Sequence, residues 1–148
     1  MKLHPIQHDL PGPVYCGPAA LSAITGLPTS RCQRAIQEAN EDPRPVEGTN
    51  IFSMALAARR LGFRLVCVWE EWGYQRSVSF ATFCRKNAYL WKTRPVLVRF
   101  TGHYSLVEGR FFLDAHVPGF TPIHRAPHQR RVVMSAWKVV KLDSAKKR

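Results

Sequence analysis

Acidic residues are scarce in this chain: ten Asp and Glu stand against 22 Lys and Arg, which leaves a formal charge of +12. Such a balance favours anionic partners, namely nucleic acid, acidic lipid or acidic protein; its plainer meaning is a soluble, self-repelling surface. Long apolar runs are missing too. The longest uncharged stretch, residues 10–30, is broken by Pro11, Pro13, Pro18 and Pro28 and by Gly12, Gly17 and Gly26. It lacks the ~20 continuous apolar residues of a membrane span, which is therefore excluded. The opening MKLHPIQHD has no apolar h-region, so no secretory signal is expected and the expected compartment is the cytoplasm. Cysteine is sparse, at positions 16, 32, 67 and 84, with no C-x-x-C pair. That argues against a zinc site built from cysteines, and in a reducing compartment the four are expected as free thiols. Repeats and low-complexity tracts are absent, and the 11 prolines and 9 glycines are scattered.

What is present is material for a core. Hydrophobic residues make up 45% of the 148 and aromatics 11%, which excludes intrinsic disorder. The length suits one domain, expected over 1–143, with a frayed basic tail at 144–148.

The first helix is expected to start at Cys16, because Pro18 suits a first turn and Ala19 to Ile24 are helix-forming and mostly apolar; Gly26 and Pro28 stop it. Ser30 with Gln33 has capping-box spacing and opens a second helix to about Asn40. Thr49 or Asn50 caps a third over 51–61, ended by Gly62, and an apolar strand follows over 63–69. A further helix is expected near 79–88. Strands are then expected over 95–100, 103–107, 110–114 and 131–142, with 115–130 irregular because of Pro118, Pro122 and Pro127. Helices first and strands later predict an α+β domain, a helical layer packed on a mostly antiparallel sheet.

Three residues carry candidate chemistry. Cys16 precedes a helix, whose N-terminus bears about half a positive charge and unpaired N–H donors. Both favour thiolate over thiol, and the same donors can hold an oxyanion. Alone, such a cysteine is more often a core thiol. Next comes a hairpin. With Glu108-Gly109 as a two-residue turn, Val107 faces Arg110, Ser105 faces Phe112 and His103 faces Asp114. A carboxylate across from a histidine fixes the imidazole tautomer and stabilises the imidazolium. An edge carboxylate there is expected to carry little packing. Were the register to turn Asp114 away, His116 or Glu108 would take its place. A helix-tip cysteine, a distant downstream histidine and an orienting carboxylate match Cys-His-Asp nucleophilic catalysis.

At this point the chain resembles a family. Tyr15-Cys16-Gly17-Pro18-Ala19-Ala20-Leu21 is similar to the nucleophile motif of the double-glycine-leader (bacteriocin-processing) cysteine peptidases, which have the papain-like fold. Gly102 to Val107 and Leu113-Asp114 resemble that family's histidine and aspartate strands. The stretch 58–63 resembles its mid-domain helix, and 94–98 the strand leading to the histidine; the similarity covers roughly residues 3 to 120. The resemblance implies a papain-like fold with Cys16 as nucleophile, His103 as general base and then acid, and Asp114 as orienter. The family also has a glutamine shortly before its cysteine that donates to the oxyanion. Here position 10 is Leu, and the nearest glutamine is Gln7. The loop 11–13 could fold Gln7 back to serve, with His8 as the alternative. Family aspartates are often followed by proline, whereas Asp114 precedes Ala115.

The expected activity is that of a thiol hydrolase, cleaving a peptide or isopeptide bond of a protein or peptide substrate through an acyl-enzyme, without cofactor. Two alternatives stand beside it: a papain-like basic binding module for nucleic acid or a protein, and an acyltransferase, deamidase or transglutaminase-like enzyme. No metal site is expected. His124 and His128 are four apart on a proline-bearing loop, and His4 and His8 flank Pro5; both pairs read as ordinary surface residues. Trp69, Trp72 and Tyr74 read as packing rather than a base-stacking platform, Glu70-Glu71 as a solvated acidic spot, and the basic runs 129–131 and 146–148 as exposed.

Overall fold

The structure is a computed structural model and describes residues 1–70 and 78–143. Trp72, Tyr74, Glu71 and the tail 144–148 lie outside the described residues. The first half is α1 (Cys16–Thr25), α2 (Thr29–Asn40), α3 (Ile51–Arg60) and the strand β1 (Phe63–Glu70). Then come α4 (Phe80–Lys86), α5 (Ala88–Trp91), β2 (Val96–Phe100), β3 (His103–Glu108), β4 (Phe111–Leu113), β5 (Thr121–Pro122) and β6 (Ser135–Lys141), with a 3-10 turn at Ile123–Arg125. The six strands form one sheet in the order β1-β6-β2-β3-β4-β5, every pair antiparallel. The α+β class holds. Among the described residues no helix is long and apolar enough to cross a membrane.

Local chemistry explains the element ends. Gly26 takes the left-handed conformation (φ 77°) and its N–H closes on the Ser22 carbonyl, a helix stop that glycine accepts without steric cost. Asn50 caps α3 by accepting from the Ser53 N–H at 2.9 Å. The capping box at Ser30 does not form. Asp9 reaches across instead, accepting from the Ser30 N–H at 2.8 Å and its hydroxyl at 2.5 Å, while Gln33 accepts from the Val46 N–H. A carboxylate from a distant segment competes successfully here with the local side chain, because it also satisfies the dipole of α2.

Strand alternation builds two cores. Leu97, Tyr104, Leu106, Leu113 and Val139 face α1, α2 and α3. Val96, Val98, Phe100, Val107, Phe112 and Ala136 face the other way, onto Phe80, Phe83 and Val133. The single helical layer expected from sequence is thus corrected: α4 covers the opposite face, because Phe80 and Phe83 are apolar enough to bury completely. Phe80 meets Phe100 and Phe112 edge-on at 5.6 and 5.7 Å. The irregular segment 115–130 also contributes a short edge strand, β5, which its prolines had hidden.

Candidate active site

Cys16 is the first residue of α1 and is half-buried. No side chain caps this helix, and Ala19 already donates to the Tyr15 carbonyl at 3.1 Å. Pro18 has no N–H, so the Cys16 and Gly17 amides are the donors left at the helix tip. Gly17 is required by close approach: a Cβ there would stand 2.6 Å from the Thr49 hydroxyl. Thr49 is held in turn by Tyr104, whose hydroxyl donates to the Thr49 carbonyl at 2.8 Å. This fastens the loop before α3 to the sheet and forms one wall of a cleft of about 500 Å³, lined among others by Cys16, Thr49, Phe52, Glu70, Arg99 and His103.

The hairpin differs from its expected register. Leu106 pairs with Leu113, Val107 with Phe112 and Glu108 with Phe111, so the turn is Gly109-Arg110 and every pair is displaced by two residues. Gly109 has φ 63°, as the first central position of a II′ hairpin turn demands, and this draws the glycine one place earlier in the turn than expected. The direct pairing of His103 with Asp114 is therefore corrected to a diagonal one. A slip of two keeps both side chains on one face, so they still meet. Nε2 of His103 donates to Oδ2 of Asp114 at 2.7 Å. The same oxygen accepts from the Ser105 hydroxyl at 2.6 Å, and Oδ1 accepts from the His116 N–H at 2.7 Å. Ser105, unmarked in the sequence reading, owes its place to that shifted register.

His103 and Asp114 are buried, at 5% and 2% exposure, which makes their electrostatics strong. Burial would lower the His103 pKa, but the hydrogen bonds with Asp114 and Cys16 and their negative charges lift it to about 9. Burial would raise the Asp114 carboxyl, yet the donors His103, Ser105 and the His116 N–H hold it below its ordinary value. Burial likewise opposes the Cys16 thiolate, and the His103 imidazole, the Tyr104 N–H and the positive charge of His103 together bring the thiol below its ordinary value. The other thiols move the opposite way: burial pushes Cys32 up to about 11 and Cys84 to about 12, and burial with the charge of Glu70 raises Cys67.

Two more histidines crowd the carboxylate end. His116 stacks on His103 with ring centres 4.4 Å apart, and His128 lies 4.9 Å from the His103 ring. Residue order offered His116 only as a replacement for Asp114 and His128 only as a neighbour of His124, because the segment that carries both reads as irregular. His124, read with His128 as a pair four apart with no metal role, lines a separate groove with Cys84 and Trp91.

The oxyanion expectation at Gln7 is corrected. Its amide nitrogen donates to the Gly26 carbonyl at 3.0 Å and its N–H to the Ser22 hydroxyl at 3.0 Å, both toward the end of α1 remote from Cys16. A ten-residue helix spans about 15 Å, so this amide is out of reach. His8 is equally engaged, with the Thr29 hydroxyl at 3.2 Å and the Gly12 carbonyl at 3.1 Å. Gln7→Ala is therefore expected to leave the reaction rate at Cys16 within about twofold of the parent, since one oxyanion donor lost costs ~100-fold or more. A drop of that larger size in single-turnover acylation would return Gln7 to the site.

No protein-family model matches the chain, and no match is found among curated proteins or solved structures.

Proposed function

We propose that the chain is a thiol-dependent hydrolase of papain-like architecture that cleaves a peptide or isopeptide bond through an acyl-enzyme. The observation that carries this reading is that Cys16 and His103 line one cleft, with the buried Asp114 carboxylate behind them bonded to Nε2 of His103 at 2.7 Å. That bond leaves Nδ1 for the thiol, so the proton of Cys16 passes to His103 and a thiolate–imidazolium pair results. The thiolate attacks the substrate carbonyl, and the helix-tip amides of Cys16 and Gly17 receive the oxyanion. As the intermediate collapses, the C–N bond breaks and the imidazolium gives its proton to the leaving amine. His103 then takes a proton from water as the hydroxide attacks the thioester carbonyl; the C–S bond breaks, the carboxylic acid product leaves, and the thiolate–imidazolium pair is restored. Four free cysteines suit a reducing compartment.

Alkylation tests this directly. Limited iodoacetamide treatment near neutral pH, followed by mass mapping, is expected to label Cys16 ahead of the other three cysteines; equal labelling at all four positions sinks the reading. The pH profile adds a second signature. The lowered thiol sets the acid limb of turnover, while the base limb lies near pH 9, where His103 loses the proton the leaving group needs. Alkylation needs only the thiolate, so it continues above pH 9 while turnover falls.

A further inference from the structure

We propose that the carboxylate end of this constellation is also a binding site for a divalent transition-metal ion of the Zn(II) type, held by His103, Asp114, His116 and His128, and that filling it silences Cys16. One ligand atom from each of the four residues lies within 4.8 Å of the others. Nε2 of His128 is buried without a hydrogen-bond partner, 3.4 Å from Oδ2 of Asp114. Leaving a buried polar atom unpaired is destabilising, and a metal ion would satisfy it. Ligand atoms about 2.0–2.2 Å from a tetrahedral zinc stand roughly 3.3 Å apart, so the His128–Asp114 spacing already fits. The His103–Asp114 pair, at 2.7 Å, has to open by about half an ångström. Three imidazoles and one carboxylate suit zinc, copper, nickel or cobalt, and not magnesium or calcium, which take oxygen cages. His116 is exposed and gives the ion a way in.

Occupancy has a chemical consequence. The metal takes the lone pair of Nε2, whose proton leaves to solvent, and Asp114 becomes a ligand in place of an acceptor. His103 then keeps one proton on Nδ1 beside Cys16 and has no free pair with which to take another. It can no longer alternate between base and acid. This switching half rests on the hydrolase reading; the binding half does not.

Cobalt(II), titrated into the full chain and read by visible absorption, tests the site. The expected result is one equivalent bound with the intense bands of a tetrahedral ion, displaced by zinc. The bands should persist in Cys16→Ala. Affinity should fall ~10-fold or more in His128→Ala, and also in His116→Ala, whose exposed side chain leaves folding intact. No binding by the parent chain, or affinity unchanged in both histidine variants, overturns the site. Zinc should also stop turnover in the parent at the concentration that displaces cobalt. Cobalt binding with turnover insensitive to zinc overturns the switch alone. Cobalt binding by a chain that never turns over substrate removes the hydrolase reading, and with it the switch, while the metal site stands.

Discussion

Serine in place of Cys16 is expected to end turnover and leave the fold in place. A serine hydroxyl titrates far above a thiol, and His103 would have to remove its proton with no ion pair as the resting state. Removing the nucleophile of such a constellation lowers turnover by roughly 10⁴-fold or more. Stability should scarcely change. Cys16 is half-buried at the margin of the first core, and exchanging sulfur for oxygen leaves almost no cavity. Thermal melts should agree within about 2 °C, while a peptide substrate goes uncleaved. A large fall in melting temperature with cleavage intact would mark Cys16 as a core thiol and end the hydrolase reading.

Asp114 should give the second large effect, and its two variants should separate. In Asp114→Asn, one amide oxygen can still accept from two of the three donors, but the NH₂ must then face the third. The fold should survive at a cost of about 1–3 kcal/mol. The rate should fall by up to ~10⁴-fold where the NH₂ turns to Nε2 and locks His103 in the wrong tautomer, the loss known in a serine-protease triad, and by far less where the oxygen stays on Nε2. Asp114→Ala is harsher. An edge carboxylate with little packing would tolerate alanine, but this one is 2% exposed and receives His103, Ser105 and the His116 N–H. Truncation leaves all three donors unpaired and is expected to cost about 3–5 kcal/mol. Thermal denaturation and single-turnover rates on both variants provide the check. A single-turnover rate near that of the parent in folded Asp114→Ala would remove Asp114 from the chemistry and leave it a structural acceptor.

Much of this site could be read from residue order, where local chemistry decides. The bounds of α1 follow from Pro18 and Gly26, and Asn50 caps α3 as expected. His103 and Asp114 meet because even a shifted hairpin preserves the facing of alternate residues. What local rules miss is competition. Gly109 could occupy either central position of a two-residue turn, and only the geometry of β3 and β4 selects the first. Ser30 offers a plausible cap, but Asp9 offers a better one from a distant segment. Gln7 has a donor that suits an oxyanion, but the Gly26 carbonyl takes it. His116 and His128 reach the carboxylate through a segment whose prolines erase any periodic signal. None of these choices lies within a window of a few residues.

The strand order has a consequence for how the molecule comes into being. β6 is the last strand in the sequence, yet it lies between β1 and β2, and β1 pairs with β6 alone among the described strands. A growing chain thus presents Cys16, His103 and Asp114 before it has made the strand that links β1 to β2. Such sequence-distant pairing makes assembly slow and late. β1 joins the rest of the sheet only once β6 has been threaded between two strands made before it.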